Sequence, residues 1–443
     1  MGNKVVKFGG SSVADGIQLA KMKSLVESDS SRRYVVVSAP GKRFSGDSKI
    51  TDLLFLCKSQ KDRNVDYEQL FQVVADRYNG IKHSLGIEAD LDSELAAIKN
   101  RLDGGCSEDY IVSRGEYLSA FLAAAYLGYD FVDTTGLILF DSRGRLLAEE
   151  TNDALRTELS RHSHAVLPGF YGTRKGTDDI TLLSRGGSDV TGSLVARAVD
   201  AEIYENWTDV SGLLMADPRI ITSPKPIESI SYMELRELSY MGASVLHEDA
   251  VFPVRESDIP INIRNTNEPD AQGTLITSGK SSSATRHDSS CWISGIAGKK
   301  DFTVISIYKN MMNKEMGFVR KALMILEENH INFDHMPTGI DSLSVVIESS
   351  ELEGKLDDVI EAFERQLSPD DIDVFTDISL IAVVGNGMKG APGSSARVLN
   401  AIARENINLR MINQSTTEIS VIIGVESKHF EKAMQAIYSE FVD

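Results

Sequence analysis

Apolar and polar positions along the 443-residue chain fall into two regimes. Up to about Ser278, short apolar runs that read as buried strands alternate with longer segments of helical spacing. The runs are Val5–Phe8, Arg32–Pro40, Phe131–Phe140, His164–Gly172, Asp179–Ser184, Ala201–Val210 and Ile259–Asn265. Helices are predicted over Val13–Ser24, from Thr51 onward, from about Val65 to Leu127 with breaks near Gly86 and Gly104–Gly105, and over Ser188–Val199, Tyr232–Tyr240 and Val245–Glu256. Strands of this kind call for an α/β sandwich around a mainly parallel sheet.

Gly279–Ser290 is rich in small polar residues and reads as a linker. Beyond it the pattern shortens into a repeat of about seventy residues, the size of a small α+β domain. The first copy reads strand, helix, strand, strand, helix, strand from Phe302 to Asp377, and the order recurs from Ile378. The second copy runs out of chain one strand short, which would leave an unpaired edge. The run Cys291–Gly298 is therefore predicted to pair into the second copy's sheet, making the first copy an insertion. The expected domains are 1–278, a linker 279–290, one repeat over 302–377, and the other from 291–298 with 378–443.

Charge narrows the partners. With 65 acidic against 46 basic residues and a net charge of -19, nucleic acid and anionic membrane are disfavoured. Cys57, Cys106 and Cys291 lie far apart without metal-ligand spacing, which suits a reducing compartment, and no metal site is expected. No charged-then-apolar leader and no apolar run of about 20 residues is present, so a cytoplasmic protein is expected.

Against that acidic background, an anionic ligand needs a local cluster. Gly9-Gly10-Ser11-Ser12, between a strand and a helix, can offer backbone and hydroxyl donors, and Lys7 a full positive charge. An ordinary turn with a solvated lysine is an equal reading of these residues alone. The lysine precedes the glycines, so this is not a Walker A loop. A second glycine turn, Ser184-Arg185-Gly186-Gly187-Ser188-Asp189, again joins strand to helix. There Asp189 is either a helix cap or the partner of a cation. Thr208, Asp209, Asp217 and Arg219 offer groups for ribose, base or phosphate, or simply form a solvated turn. Glu116 is expected about one turn into a helix that opens at Ser113, as an ammonium ligand or a surface acid.

KFGGSSVAD, SRGE, SRGGSD, WTDVSG with DPR, and MGASVLH together resemble the aspartate kinases of the amino-acid kinase superfamily, in their monofunctional form. The C-terminal repeat resembles paired ACT domains with βαββαβ order. The resemblance spans essentially the whole chain. It implies transfer of the γ-phosphoryl group of MgATP, a co-substrate, to the side-chain carboxylate of L-aspartate, the first step toward lysine, threonine and methionine. It implies Lys7, Arg185 and Asp189 as catalytic residues, with Thr51, Glu116 and Arg185 on aspartate. Lys7, Gly9, Gly10, Ser11, Ser188, Thr208, Asp209, Asp217 and Arg219 fall to ATP. Some relatives carry a lysine where Ser244 stands and a tyrosine where Leu214 stands; Lys42, Lys49 and Arg219 are candidates to replace that cation.

The resemblance further implies feedback by an amino acid, lysine first and threonine second, and a homodimer formed through the repeats. Met312, Gly317, Phe318, Asn332, Asp334 and Thr338 are the candidate effector residues, with Asp334 on the ammonium group. Packing is an equal reading for Met312 and Phe318. The alternatives kept open are a glutamate or N-acetylglutamate kinase and a non-catalytic amino-acid sensor.

Overall fold

The computed structural model describes residues 2–183, 186–243, 246, 248–279 and 292–442. Arg185, Ser244, His247, Cys291 and the linker beyond Gly279 lie outside them.

The chain begins β1 (Lys4–Phe8), α1 (Gly16–Glu27), β2 (Arg32–Val37), α2 (Ile50–Asp62), α3 (Glu68–Leu85), α4 (Leu91–Asp103), α5 (Glu108–Leu127) and β3 (Asp130–Phe131). It continues with β4 (Leu139–Phe140), α6 (Ala148–Leu159), β5 (Ala165–Pro168), β6 (Tyr171–Arg174), β7 (Ile180–Leu182), α7 (Gly187–Ala198) and β8 (Ile203–Thr208). Then come β9 (Leu213–Leu214), β10 (Pro226–Ile227), β11 (Ser229–Ser231), α8 (Tyr232–Tyr240), α9 (Glu248–Glu256), β12 (Ile261–Asn265) and β13 (Thr274–Thr277). Eight strands form one sheet in the order β11-β13-β12-β8-β1-β2-β5-β3, parallel except where β12 meets β13. The central strands are apolar because both faces are covered: Val5, Val6, Val35, Val36 and Val166 are fully buried.

Two predicted strands divide. Phe131–Phe140 is broken by a turn at Gly136, which has φ 75°, and His164–Gly172 contributes to both β5 and β6. Their second halves, with β7, form a separate three-stranded sheet, β4-β6-β7. The first helix also starts late. Gly10–Val13 is a 3-10 turn, and α1 begins only after Asp15, whose carboxylate accepts the Gln18 amide at 2.9 Å.

The second regime holds β14 (Gly295–Tyr308), α10 (Phe318–Glu328), β15 (Ser342–Glu348), α11 (Leu356–Leu367), β16 (Asp371–Val384), α12 (Ser394–Arg404), β17 (Met411–Gln414), β18 (Ser420–Glu426) and α13 (Phe430–Val442). They share one antiparallel sheet, β15-β14-β16-β18-β17. Gly295–Lys299 pairs with Leu380–Val384, in the second copy, and Phe302–Tyr308 continues the same strand against the first. What the sequence presents as four strands is therefore two strands of 14 residues, each running through both repeats. The polar breaks Lys299–Asp301 and Thr376–Asp377 are irregularities within them, with Asp301 at φ 69° and Asp377 at φ 57°. The predicted strand Ile331–Pro337 is instead an extended strap, making an isolated bridge from His335 to Val346.

Packing divides the described chain into two compact units. The first runs to Leu213 and includes Pro226–Met233 and α9 through β13; the second takes Leu214–Lys225, α8 from Glu234, and the chain from Trp292.

Candidate active site

Parallel pairing of β1 with β8 sets Lys7 opposite Asn206, and both side chains reach the first turn of α7. There the Lys7 ammonium forms an ion pair with Asp189 Oδ1. The Asn206 amide bridges the two: Nδ2 donates to the same Asp189 oxygen at 3.0 Å, and Oδ1 accepts from Lys7 Nζ at 3.4 Å. The side chains of Lys7 and Asp189 are 9% and 15% exposed, so the two charges are matched mainly within the protein rather than by bulk water. α7 can start here because Gly186 takes the left-handed conformation, φ 76°, which costs an L side chain about 1–2 kcal/mol. Ser188 is buried in the same turn, and the α7 dipole favours negative charge at this end.

The opening glycines bring two loops together. A Cβ on Gly10 would lie 2.9 Å from the Ala39 carbonyl oxygen, and one on Gly41 2.8 Å from the Gly10 carbonyl carbon. The Gly41 amide donates to Gly10 at 2.8 Å. Gly9 uses its own amide on the Trp207 carbonyl, so the turn offers fewer free donors than a fully open nest. Buried Arg77 of α3 fixes the second loop, donating to the Gly41 carbonyl at 3.0 Å and to Asp47 at 2.7 Å. Lys42 and Lys49, on that loop, make no ion pair among the described residues.

Glu116 departs from its expected place. α5 starts at Glu108, so Glu116 sits mid-helix and is 5% exposed rather than a surface acid. Burial pushes its carboxyl up to about 8, against a hydrogen bond from the Ala39 backbone that lowers it. Its Oε2 has no hydrogen-bond partner among the described residues. An unpartnered buried carboxylate oxygen is costly unless a ligand meets it. Ala39 thus touches both the Gly10 turn and Glu116, bringing the opening glycine turn next to the unpartnered carboxylate oxygen. Thr51 is half-buried at the second position of α2.

Comparison with known proteins bears on the whole chain. Residues 3–265 match the amino acid kinase family and residues 381–441 an ACT domain. Aspartokinase 3 of Bacillus subtilis is 37% identical over 454 aligned residues, covering 99% of this chain and 98% of that one. The chain belongs to the aspartokinases of the amino acid kinase family. An aspartate kinase structure from Clostridium acetobutylicum superimposes with a TM-score of 0.91 at 46% identity, each chain covered in full. The Escherichia coli aspartokinase III structure in complex with aspartate and ADP shares the fold at a TM-score of 0.75 and 24% identity, again over both whole chains.

In this aspartokinase the remaining candidates are placed as follows. Thr208 ends β8 and donates to Asp209 at 3.2 Å on an exposed loop. Asp217 and Arg219, in the second unit, bind one another: Arg219 Nη2 lies 2.6 Å from Asp217 Oδ2, and this contact holds the Asp217 carboxyl below its usual range. Leu214 is exposed. Met312 and Phe318 are 4% and 3% exposed in the apolar core under the first repeat, so their side chains pack. Gly317 caps α10 with φ 79°. Asn332 and Thr338 are exposed on the strap. Asp334 Oδ1 accepts the Tyr240 hydroxyl at 2.5 Å, and burial together with this bond raises the Tyr240 pKa. Asn206 and Tyr240 carry no mark in the sequence: nothing local identifies a strand asparagine as the neighbour of residues 199 and 17 positions away, or a helix-end tyrosine as the partner of one 94 positions on. No helix among the described residues is long and apolar enough to cross a membrane.

Proposed function

We propose that this aspartokinase transfers the γ-phosphoryl group of MgATP to the side-chain carboxylate of L-aspartate, giving 4-phospho-L-aspartate and ADP. One observation carries the reading: a buried lysine ion-paired with Asp189, beside two glycine turns, shares the Ala39 neighbourhood with a buried carboxylate whose Oε2 has no hydrogen-bond partner among the described residues. An aspartate carboxylate oxygen bonds to the γ-phosphorus while the bond from that phosphorus to the bridging oxygen of ADP breaks. The attacking carboxylate is already ionised at neutral pH, so no general base is needed. The protein's task is to position the reactants and offset negative charge.

Lys7 faces the transferring phosphates, and Asp189 keeps its ammonium in place. Gly9, Gly10, Ser11 and Ser188 line the phosphate end of the site, with Thr208 and Asp209 as further ATP ligands. Glu116 Oε2 takes the substrate ammonium, and Thr51 and Arg185 take its carboxylates. With Arg219 tied to Asp217, Lys42 is favoured as the second phosphate-proximal cation, because Gly41 packs backbone to backbone against Gly10. Magnesium arrives with the nucleotide.

End-product feedback is assigned to the first repeat, where Asp334 takes the ammonium of lysine, with threonine as the second choice. Backbone at Gly317 and Phe318, together with Asn332 and Thr338, completes that site. A cytoplasmic homodimer paired through the repeats accompanies this reading. The test is a hydroxamate assay for aspartyl phosphate with aspartate or glutamate, each with and without lysine and threonine. Aspartate-dependent product suppressed by lysine is expected. Product with glutamate alone overturns the substrate, and no product with either overturns the activity.

A further inference from the structure

We infer that Asn206 is a positioning residue for phosphoryl transfer, setting the direction and the usable charge of the Lys7 ammonium. The inference rests on the assignment of Lys7 to the phosphates. Asp189 Oδ1 receives both the Lys7 ammonium and the Asn206 amide, and Asn206 Oδ1 receives a second proton of the same ammonium. Two of the three ammonium protons are thereby fixed, and the third is left for a ligand. Lys7 Nζ lies 3.6 Å from where a Cβ of Gly9 would stand, so the ammonium sits over the opening turn.

The amide also shares Asp189. A carboxylate that bonds one lysine alone neutralises it strongly at low effective dielectric. A carboxylate that also accepts from a neutral amide pulls less on that lysine, leaving more positive field for an incoming phosphoryl group. Asn206 itself is 3% exposed and bonded to both charged partners, so it acts through them.

The test compares Asn206→Leu and Asn206→Asp with the natural enzyme and with Lys7→Ala. Asn206→Leu keeps the approximate size and removes both bonds; kcat is expected to fall about ten- to hundredfold with the aspartate KM changed less than about twofold. Asn206→Asp carries the sharper signature. Protonated, the new carboxyl reproduces the asparagine, donating to Asp189 and accepting from Lys7; ionised, it adds a second negative charge beside the ammonium. With an ordinary carboxyl range near about 4, lowered by the Lys7 ammonium and raised by the Asp189 charge, its kcat relative to the natural enzyme is therefore expected to rise as pH falls below about 6 toward about 4.5, a trend that a purely structural role would not produce. An Asn206→Leu kcat within about twofold of the natural enzyme, or no relative pH trend in Asn206→Asp, overturns the inference. If Lys7→Ala itself keeps normal turnover, the assignment of Lys7 fails instead.

Discussion

Asp189 and Asp334 are held in opposite ways. Asp189 stands in the first turn of a helix, ion-paired with a buried lysine and bonded to a buried amide. Asp334 stands on a strap, accepts one tyrosine hydroxyl and makes no ion pair among the described residues. The first is organised before any ligand arrives, and it fixes the Lys7 ammonium with it, the preorganisation that a group offsetting developing negative charge needs. The second holds a neutral partner that an ammonium group can displace. The two repeats sharpen the contrast. The Asp334 amide donates to Val346 at 2.8 Å, and the Arg410 amide donates to Gly424 at the same 2.8 Å, so Arg410 occupies the matching place in the second copy. Its guanidinium lies 4.8 Å from the Phe375 ring. One repeat presents an acid there and the other a base.

The largest effect expected from this contrast is at the organised end. Lys7→Ala should lower turnover by about 10²–10³ in the hydroxamate assay, since it removes a full charge and leaves Asp189 without its ion-pair partner.

Glu116 comes next. Replacement by Gln should raise the aspartate KM about tenfold or more, the loss of a hydrogen bond to a charged group. The natural enzyme carries a pH signature that the variant lacks. The carboxyl of the ligand-free protein titrates at about 8 against an ordinary 4.5. Below that pH the proton must leave before an ammonium can be met, so the aspartate KM should fall by up to about tenfold per unit as pH rises toward 8. The same shift stabilises the ligand-free fold fully below about 4.5, and that contribution is lost as pH climbs through 8. A flat KM profile in the natural enzyme would remove Glu116 from the ammonium site.

At the exchangeable end, Asp334→Ala should weaken lysine inhibition about tenfold, with turnover in the absence of effector unchanged. Tyr240→Phe should strengthen it about threefold, because the competing hydroxyl is gone. Weaker inhibition in that variant would make Tyr240 part of the effector site rather than its competitor. The smallest effect belongs to Arg410→Ala, for which lysine inhibition should stay within about twofold; a larger loss would erase the distinction between the copies.

Much of this was legible in the chain. The alternation of apolar runs with helical spacing marks the parallel sheet, because central strands must be apolar on both faces. Lys7 and Asp189 are visible because glycine turns between strand and helix are sparse and each carries a charge. Glu116 is visible as an acid in an apolar helix, although its depth was not, since the helix start depends on the Ser107 cap accepting the Tyr110 amide. The small three-stranded sheet was hidden because its strands are only two to four residues long, too short for a period to appear. The tie from Arg77 to the Gly41 loop was hidden because it joins residues far apart along the chain. The continuous strands of the regulatory half were hidden by polar residues that signal a break in sequence and form an irregularity in space.

Those two 14-residue strands have a mechanical consequence. Because each strand runs on from one repeat into the next through the irregularity between them, neither repeat can melt alone without fraying the ladder of its neighbour, and the half should unfold in a single cooperative transition. Cutting either repeat away at Lys299–Asp301 would create raw strand ends, the usual starting point of aggregation. The path open to gradual change in this half is thus substitution on the straps and helix starts, where Asp334 and Arg410 already differ, rather than gain or loss of a whole repeat.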